Sequence, residues 1–360
     1  MRSNGSSFTS DGSCFHRFMS IQEIKRRLHS LSGVVKDEAQ VLILMHDNPD
    51  PDSLASAFGL QYLLNSLAGK PSLIGYSGIV GRAENRAMIK HLDIRLCPLS
   101  RIPIKEYPCI AMVDTQPSTG NNSLPTKLLP KIVFDHHPFR SASRRVAYRE
   151  IKTKYNVTAS IITEYLIASK LEFDFKLATA LFYAIKSETE GLSREVGKIE
   201  ARLRHYLYPH VDQKLLANIE NARVSKEYFQ TIHSALENST VYGDAVVAKI
   251  ENVQNPHIVA EVADFLMRLE KIKWGFCFGT YNGDVLISAR TIERSNDAGN
   301  LMREAFGDLG AAGGHEMMAG AKISLKTTSL QGKRSFVRQL IFKVLELTGN
   351  DPKDGERLVE

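Results

Sequence analysis

The sequence predicts a two-domain α/β protein whose first domain is built on a parallel sheet. Three observations lead to this prediction. Short β-branched runs alternate with helix-like segments over the first two-thirds of the chain, which is the pattern of a parallel sheet with helices on both faces. At 360 residues, the chain is too long for one average core. A polar, helical stretch then precedes a second, smaller α/β region.

The domain boundaries follow from shifts in composition. We expect a leader at 1–18, a first domain at 19–195, a helical connector at 196–237, a second domain at 238–348 and a tail at 349–360. The leader is rich in Ser, Gly and Asn and lacks the apolar core of a signal peptide, so we expect it to be disordered. The polar tail is expected to fray. A helical extension of the first domain is an alternative nearly as well supported.

In the first domain, the elements alternate in type. Strands are expected at 41–46, 71–76, 109–114 and 131–135, and helices at 53–67, 83–92, 157–170 and 174–187. Thr158 or Ser160 could cap the third of these helices.

The second domain repeats the alternation with an antiparallel element. Strands are expected at 241, 245–250, 273–281 and 284–290, and helices at 256–269 and 296–306. An Asn282-Gly283 turn between two of these strands predicts a β-hairpin.

Composition excludes several classes of protein. The net charge of +6 suits an anionic substrate but does not require one, since no run of five like charges is present. No apolar run approaches the roughly 18 residues that span a bilayer, so we expect no membrane partner. The cysteines are scattered, without a Cys-x-x-Cys pair, which argues against a disulfide framework or a thiolate zinc site and favours the reducing cytoplasm. They are Cys14, Cys97, Cys109 and Cys277.

The first polar cluster is the segment 46–52, which reads His-Asp-Asn-Pro-Asp-Pro-Asp after an apolar strand-like run. Its two prolines favour extended backbone and argue against an early helix, so we expect a stiff loop at the carboxyl edge of the sheet. Asp52 could also cap a helix that begins near Ser53. Capping would explain one aspartate but not a second, Asp50, together with His46, so the cluster favours a metal site.

Two further strand ends carry side chains of the same kind. Asp114 ends one apolar strand, and Asp135, His136 and His137 follow another. Adjacent side chains on an extended strand point to opposite sides, so a straight strand could not turn both histidines toward one metal. Pro138 ends the strand, and the turn can therefore redirect the second histidine. One histidine could bind metal while the other faces the substrate.

An open α/β sheet can form a metal site from ligands that lie at the ends of several of its strands. Carboxylates and imidazoles without a thiolate favour Mn²⁺ over zinc, with Mg²⁺ or Co²⁺ as alternatives. Two ions roughly 3.5–4 Å apart could activate a water and neutralise a phosphoryl transition state. Such a pair needs a bridging carboxylate, and Asp114 is the candidate.

A glycine-rich run before His315 predicts a different kind of site. Gly310, Gly313 and Gly314 allow close backbone approach and outward-facing N–H groups, which suits a phosphate. Alone, such a run is usually only a turn. With His315 beside it and Arg290 ending a nearby strand, it predicts an anion clamp in which the arginine holds phosphate oxygens in bidentate fashion.

Taken in order, these motifs resemble the DHH phosphoesterase family with a DHHA-type C-terminal domain, from about residue 38 to residue 325. The matching motifs are His46-x-x-x-Asp50-x-Asp52, Asp114, Asp135-His136-His137 and Gly313-Gly314-His315. Within the family, the chain is most similar to the stand-alone oligoribonuclease (nanoRNase) and 3′-phosphoadenosine 5′-phosphate (pAp) phosphatase branch. It has little room for the additional DNA-binding domains of RecJ-like exonucleases.

The resemblance implies a two-metal centre. His46, Asp50 and Asp114 would hold one Mn²⁺, and Asp52, Asp114 and His136 would hold the second, together with a carboxylate from a fourth motif.

The resemblance also implies roles around the metals. Asp135 would support the second shell by orienting His136 or its loop, and His137 would contact the scissile phosphate. The active site would lie in the cleft between the domains, where Arg290 and the 313–315 turn would grip a terminal phosphate or nucleotide.

The fourth motif departs from the family pattern, which usually has Thr-Asp-Thr. Here Ser187-Glu188-Thr189 places a glutamate in the aspartate's position. Its carboxylate lies one methylene further out, so the second metal site could be shifted or weakened. Glu190 is a nearby substitute, and a solvated acidic helix end that binds no metal is the alternative.

The expected function is metal-dependent hydrolysis of phosphodiester or phosphomonoester bonds in short single-stranded oligonucleotides or small nucleotides such as pAp. Two alternatives stay open. One is a hydrolase of polyphosphate or another phosphoanhydride. The other is a catalytically weakened, nucleotide-binding regulatory protein, for which Glu188 is the motivation. Exposed strand edges could pair subunits in a homodimer.

Overall fold

The fold is described from a computed structural model. It describes residues 21–172, 174–189, 197–325 and 329–360. The chain divides into two compact units, Met1–Val80 with Glu84–Asn221 and Gly81–Ala83 with Ala222–Glu360. The expected leader at 1–18 lies outside the described residues.

The first unit alternates strands and helices, as the sequence predicts. Its strands are β1 (Val41–Leu44), β2 (Ser72–Tyr76), β3 (Leu96–Pro98), β4 (Cys109–Val113), β5 (Ile132–Asp135) and β6 (Tyr148–Ile151). Its helices are α1 (Ile21–Val35), α2 (Pro51–Ala68), α3 (Ala83–Leu92, which begins at the last residue of the 81–83 segment), α4 (Thr158–Ala168), α5 (Phe175–Thr189), α6 (Lys198–Leu207) and α7 (Gln213–Glu220).

The six strands form one sheet in the order β3-β2-β1-β4-β5-β6. Every strand pair in it is parallel. Alternate residues of β1 bury on opposite faces, Val41 and Ile43 in one core cluster and Leu42 and Leu44 in the other. Burial on both faces is the reason that these strands are apolar throughout, and it confirms the predicted parallel α/β sheet.

The expected N-cap of α2, Asp52, is wrong. The helix begins at Pro51, and Asp50 rather than Asp52 is its N-cap. The Ser53 N–H donates to Asp50 Oδ1 over 2.9 Å, and the Asp50 N–H donates to Ser53 Oγ over 3.0 Å, which closes a capping box. Proline is tolerated at the first position of a helix, because an N–H at that position would have no partner within the helix. Pro51 therefore starts the helix instead of delaying it.

The second unit is built on a mixed sheet. Its strands are β7 (Thr240–Tyr242), β8 (Ala245–Ile250), β9 (Trp274–Tyr281), β10 (Asp284–Thr291), β11 (Ala311–Gly314), β12 (Met318–Ser324) and β13 (Gly355–Arg357). Its helices are α8 (Lys226–Glu237), α9 (Ile258–Leu266), α10 (Ala298–Phe306) and α11 (Leu330–Leu347). The strand order is β11-β12-β10-β9-β8-β7-β13, with β8 and β9 parallel and the other pairs antiparallel.

The predicted hairpin between β9 and β10 is confirmed. Asn282 and Gly283 both have positive φ, 48° and 84°, which is the backbone of a type I′ turn.

The expected fraying after residue 349 is wrong. Strand β13 pairs with β7, and the Leu358 N–H donates to Ser239 O over 3.1 Å. Backbone pairing of this kind needs no apolar side chains, so a polar composition did not reveal it. Within the described ranges, no helix is long and apolar enough to cross a membrane.

Candidate metal centre

The predicted ligands meet because three neighbouring strands end at the same edge of the first sheet. Strands β1, β4 and β5 are adjacent and parallel. His46 follows β1, Asp114 follows β4, and His136 follows β5. The carboxyl ends of parallel strands are where α/β proteins build their sites.

The first ligand group contains His46, Asp50 and Asp114, whose donor atoms all lie within 4.8 Å of one another. His46 Nε2 is 3.3 Å from Asp50 Oδ2 and 3.4 Å from Asp114 Oδ2. These are the three residues predicted for one ion.

The second group shares Asp114 with the first and adds His136 and His137, again within 4.8 Å. His136 Nε2 lies 3.5 Å from Asp114 Oδ1 and 3.9 Å from Asp52 Oδ2. Asp114 is buried and has a φ of +57°, a conformation that non-glycine residues seldom adopt. Asp114 Oδ2 lies near His46 of the first group, and Asp114 Oδ1 lies near His136 of the second.

Asp52 lies at the same place and has a second contact that the sequence did not predict. The Thr158 N–H donates to Asp52 Oδ2 and the Ala159 N–H to Asp52 Oδ1, each over 2.7 Å. Asp52 therefore caps α4 from outside that helix. The expected capping of α4 by Thr158 or Ser160 is wrong, since Val157 is at the N-cap position and has no capping side chain.

The buried carboxylates are electrostatically unfavourable to one another. Burial raises the pKa of Asp52 well above its usual value, and the carboxylates of Asp114, Asp50 and Glu188 raise it further. The pKa of Asp50 is lowered although desolvation opposes this, because His46 and Ser53 favour its charged form.

The three histidines differ in their protonation tendencies. Burial alone would lower the pKa of His46, but Asp50 and Asp114 raise it well above its usual value. Burial lowers the pKa of His136, which favours the neutral imidazole that a metal requires. Burial would also lower the pKa of His137, but Asp135 and Asp114 raise it, which favours a proton donor.

Asp135 contacts the imidazole of His137, which lies in the loop that Asp135 was expected to orient. Asp135 Oδ1 lies 2.8 Å from His137 Nδ1 and accepts the His137 backbone N–H over 3.2 Å. The side chain of Gln116 donates to Asp135 Oδ2 over 2.6 Å. The pKa of Asp135 is lowered despite its burial, because His137 and Gln116 stabilise its charged form.

This donor set fits divalent metal ions. Buried carboxylates that repel one another need a compensating positive charge, and imidazole and carboxylate ligands without a thiolate suit Mn²⁺ or Mg²⁺. The first ion would be held by His46, Asp50 and Asp114. The second was expected at Asp52, Asp114 and His136, whereas the donor atoms that lie together in the structure are those of Asp114, His136 and His137.

Comparison with known proteins shows the family of the chain. Residues 40–185 match the model of the DHH family, N-terminal domain, and residues 243–343 match the DHHA1 domain. An uncharacterized protein of Methanocaldococcus jannaschii is 35% identical over 336 residues, which cover 91% of this chain and 68% of that protein. The chain belongs to the DHH family. Its first unit carries the DHH domain of a phosphoesterase-like fold, and its second unit carries the DHHA1 domain.

One solved structure shares this fold. An exopolyphosphatase-related protein from Bacteroides fragilis superposes with a TM-score of 0.70 at 13% identity, over 89% of this chain and 97% of that one. RecJ from Thermus thermophilus, solved in complex with Mg²⁺, has a TM-score of 0.42 at 13% identity, over 91% of this chain and 52% of that one.

Arg290, the predicted phosphate ligand of the DHHA1 domain, is held by protein groups. It lies on β10, is 6% exposed, and its Nε donates to Asp264 Oδ1 over 2.5 Å. Its Nη1 donates to Ser288 Oγ and Ala289 O. Gripping a phosphate in bidentate fashion would require Arg290 to exchange these partners, and its role stays a prediction.

The glycine-rich run is an edge strand rather than a turn. Gly313 and Gly314 belong to β11, and the His315 N–H donates to Met318 O over 2.8 Å to close a hairpin. A Cβ on Gly314 would lie 2.3 Å from Met318 O, so packing within the hairpin explains that glycine. A Cβ on Gly313 would meet only Arg303 Nη1, at 3.9 Å, so packing does not explain Gly313. His315 is exposed.

Glu188, the replacement for the family's aspartate, lies in the last turn of α5. Its charge raises the pKa of Asp52, which places it near the second ligand group. The substitute, Glu190, lies outside the described residues. Whether Glu188 completes the second group stays a prediction.

Two further residues contact the site and were not assigned to it from the sequence. The Thr158 hydroxyl donates to Asp114 Oδ1 over 2.9 Å, and Gln116 contacts Asp135. Gln116 stands two positions after a strand-end aspartate, which was the available signal. Thr158 was interpreted only as a helix cap, because its contact with Asp114 depends on how α4 packs.

Proposed function

We propose that this chain is a two-metal phosphoesterase that cleaves short single-stranded oligonucleotides or small nucleotides such as pAp. The observation that carries the proposal is the position of Asp114, which contributes to both ligand groups. A carboxylate shared by two ions is the arrangement that in-line phosphoryl displacement uses. The substrate class rests on the branch of the DHH family that the motifs resemble.

When bound, the ions would supply an activated water and neutralise charge on the phosphoryl oxygens. The side chains of the protein supply the rest. His137, held by Asp135, would donate a hydrogen bond or proton to the phosphate. His136, with its lowered pKa, would stay neutral as a ligand. Mn²⁺ is the ion that we propose, because the ligands combine carboxylate and imidazole.

The test is hydrolysis of a labelled dinucleotide by full-length protein that has been stripped of metal and then given Mn²⁺. We expect mononucleotide release only with the metal. Asp114→Asn should abolish measurable turnover, because it removes the charge that both ligand groups share. Asp93→Asn is the matched control, since Asp93 also has a positive φ, of 58°, and is exposed. Asparagine tolerates this backbone conformation.

Two results would contradict the proposal. One is the absence of Mn²⁺-dependent turnover of both the dinucleotide and pAp. The other is an Asp114→Asn variant that keeps the wild-type rate.

Hydrolysis of polyphosphate is the second candidate function. It is favoured by the fold shared with the exopolyphosphatase-related protein of Bacteroides fragilis. The same ligand groups could serve either bond, so a panel of dinucleotide, pAp and polyphosphate under identical metal conditions decides between them. Faster turnover of polyphosphate would assign the chain to phosphoanhydrides.

A further inference from the structure

Gln116 is a buried side chain beside the metal centre that the proposed chemistry does not use. It lies on the loop after β4, two residues beyond Asp114, and is 1% exposed. Its Nε2 donates to Asp135 Oδ2 over 2.6 Å and to Pro138 O over 3.1 Å. Its Oε1 accepts the Arg140 N–H over 2.8 Å and the Ser143 hydroxyl over 3.0 Å.

These four contacts fix the orientation of the amide. A glutamine side chain offers two N–H donors and two acceptor lone pairs, and all of them are engaged here. Rotating the amide by half a turn would place Oε1 against the Asp135 carboxylate and the Pro138 carbonyl. It would also point the NH₂ group at the Arg140 N–H. Buried groups mismatched in this way are costly, so one orientation is strongly preferred.

The fixed amide in turn fixes Asp135. One oxygen of Asp135 is held by Gln116, and the other contacts the backbone N–H and Nδ1 of His137. A carboxylate held on both sides cannot rotate without breaking a contact. With Nδ1 directed at Asp135, Nε2 is the ring nitrogen that would meet a substrate phosphate.

We propose that Gln116 is a positioning residue that acts through Asp135 to orient His137, an inference that rests on the proposed phosphoesterase function. Hydrogen-bonding partners behind a reactive histidine set its tautomer and ring orientation. Gln116 also ties the 138–143 loop to the same carboxylate, so its effect on Asp135 must be separated from its effect on the loop.

Two substitutions make this separation. Gln116→Glu keeps the length and the acceptor for the Arg140 N–H and the Ser143 hydroxyl, but it replaces the group that donates to Asp135 and to Pro138 O with an oxygen. Ser143→Ala is the matched control, because it removes a loop contact of Gln116 and leaves the Asp135 contact in place. We expect Gln116→Glu to lower kcat about 10-fold, with KM and Mn²⁺ affinity close to wild type. Ser143→Ala should change kcat less than about two-fold.

A double-mutant cycle with His137→Ala shows whether the effect passes through the histidine. In that background, Gln116→Glu should cause no further loss of kcat, because the group that it orients is gone. An equal additional loss in the His137→Ala background would overturn the proposal. So would a Ser143→Ala variant that reproduces the defect of Gln116→Glu.

A second readout needs no turnover, and it separates this inference from the proposed function. In the ¹H–¹⁵N spectrum of histidine-labelled full-length protein, the His137 Nδ1 proton held by Asp135 should be observed and slow to exchange. We expect Gln116→Glu to abolish this signal and Ser143→Ala to retain it. Persistence of the signal in Gln116→Glu would contradict the inference, even if no substrate were hydrolysed. Absence of turnover with the signal behaving as expected would contradict only the proposed function.

Discussion

Asp114 contributes to both ligand groups of the site, and Thr158 forms a hydrogen bond to its carboxylate. The Thr158 hydroxyl donates to Asp114 Oδ1, the oxygen that faces His136. A hydrogen bond to a carboxylate ligand sets the direction of its lone pairs. We therefore expect the hydroxyl to position Asp114 as well as to belong to helix α4.

Thr158→Val removes this hydroxyl and keeps the shape and the backbone N–H that donates to Asp52. We expect a fall of about 10–100-fold in Mn²⁺ affinity or kcat, which is the usual effect of losing a partner of a metal ligand. Thr163→Val is the control, since the Thr163 hydroxyl is buried on the same helix and donates to Ala159 O over 2.7 Å. Calorimetric titration of both variants checks the prediction, and equal behaviour of the two would contradict it.

At the scale of elements, the strand ends of the first sheet place the site residues, and the N-termini of α2 and α4 hold two of the site's carboxylates in place. Strands β1, β4 and β5 end side by side, and residues at the starts of α2 and α4 contact the side chains that follow those ends. Asp50 caps α2 and Asp52 caps α4, so the first two carboxylates of the site also hold both helices. A change at either residue is therefore expected to affect stability as well as chemistry.

The elements that the sequence predicted well are those with strong local patterns. Apolar runs predicted β1, β4 and β5, because strands that are buried on both faces do not alternate polar and apolar residues. The Asn-Gly turn gave the β9–β10 hairpin. Strand β13 was missed because it forms by backbone pairing with β7, which its own sequence does not reveal. The glycines of β11 were interpreted as a turn because the pairing of β11 with β12 is likewise not visible in the local sequence.

The site shows a similar division between local and long-range information. The His46, Asp50, Asp114 and His136 positions were predictable because each follows a strand. The contacts of Asp52 with α4 and of Asp135 with His137 and Gln116 depend on which segments pack together. Sequence spacing does not specify these partners.

At the scale of the whole molecule, metal binding should be linked to pH. In the metal-free protein, the pKa values of Asp52 and His46 are raised, so any stability that they contribute is lost as pH rises through those values. A bound ion replaces the protons at both residues and restores a compensating charge.

We therefore expect the Mn²⁺-induced rise in Tm to grow as pH increases from about 5.5 to about 7.5. Differential scanning calorimetry with and without Mn²⁺ measures this difference, and Asp114→Asn should flatten it. A Tm shift that is constant or shrinks with pH would show that protons do not compete with the ion at this centre.

The most direct test of the central claim is the number of Mn²⁺ ions bound per chain, measured by native mass spectrometry. We predict two ions for the wild type and for Asp93→Asn, and loss of both for Asp114→Asn because it serves both groups. Glu188→Gln should retain the ion held by His46, Asp50 and Asp114, and weaken or lose the other. At most one ion in the wild type, or two in Asp114→Asn, would contradict the account.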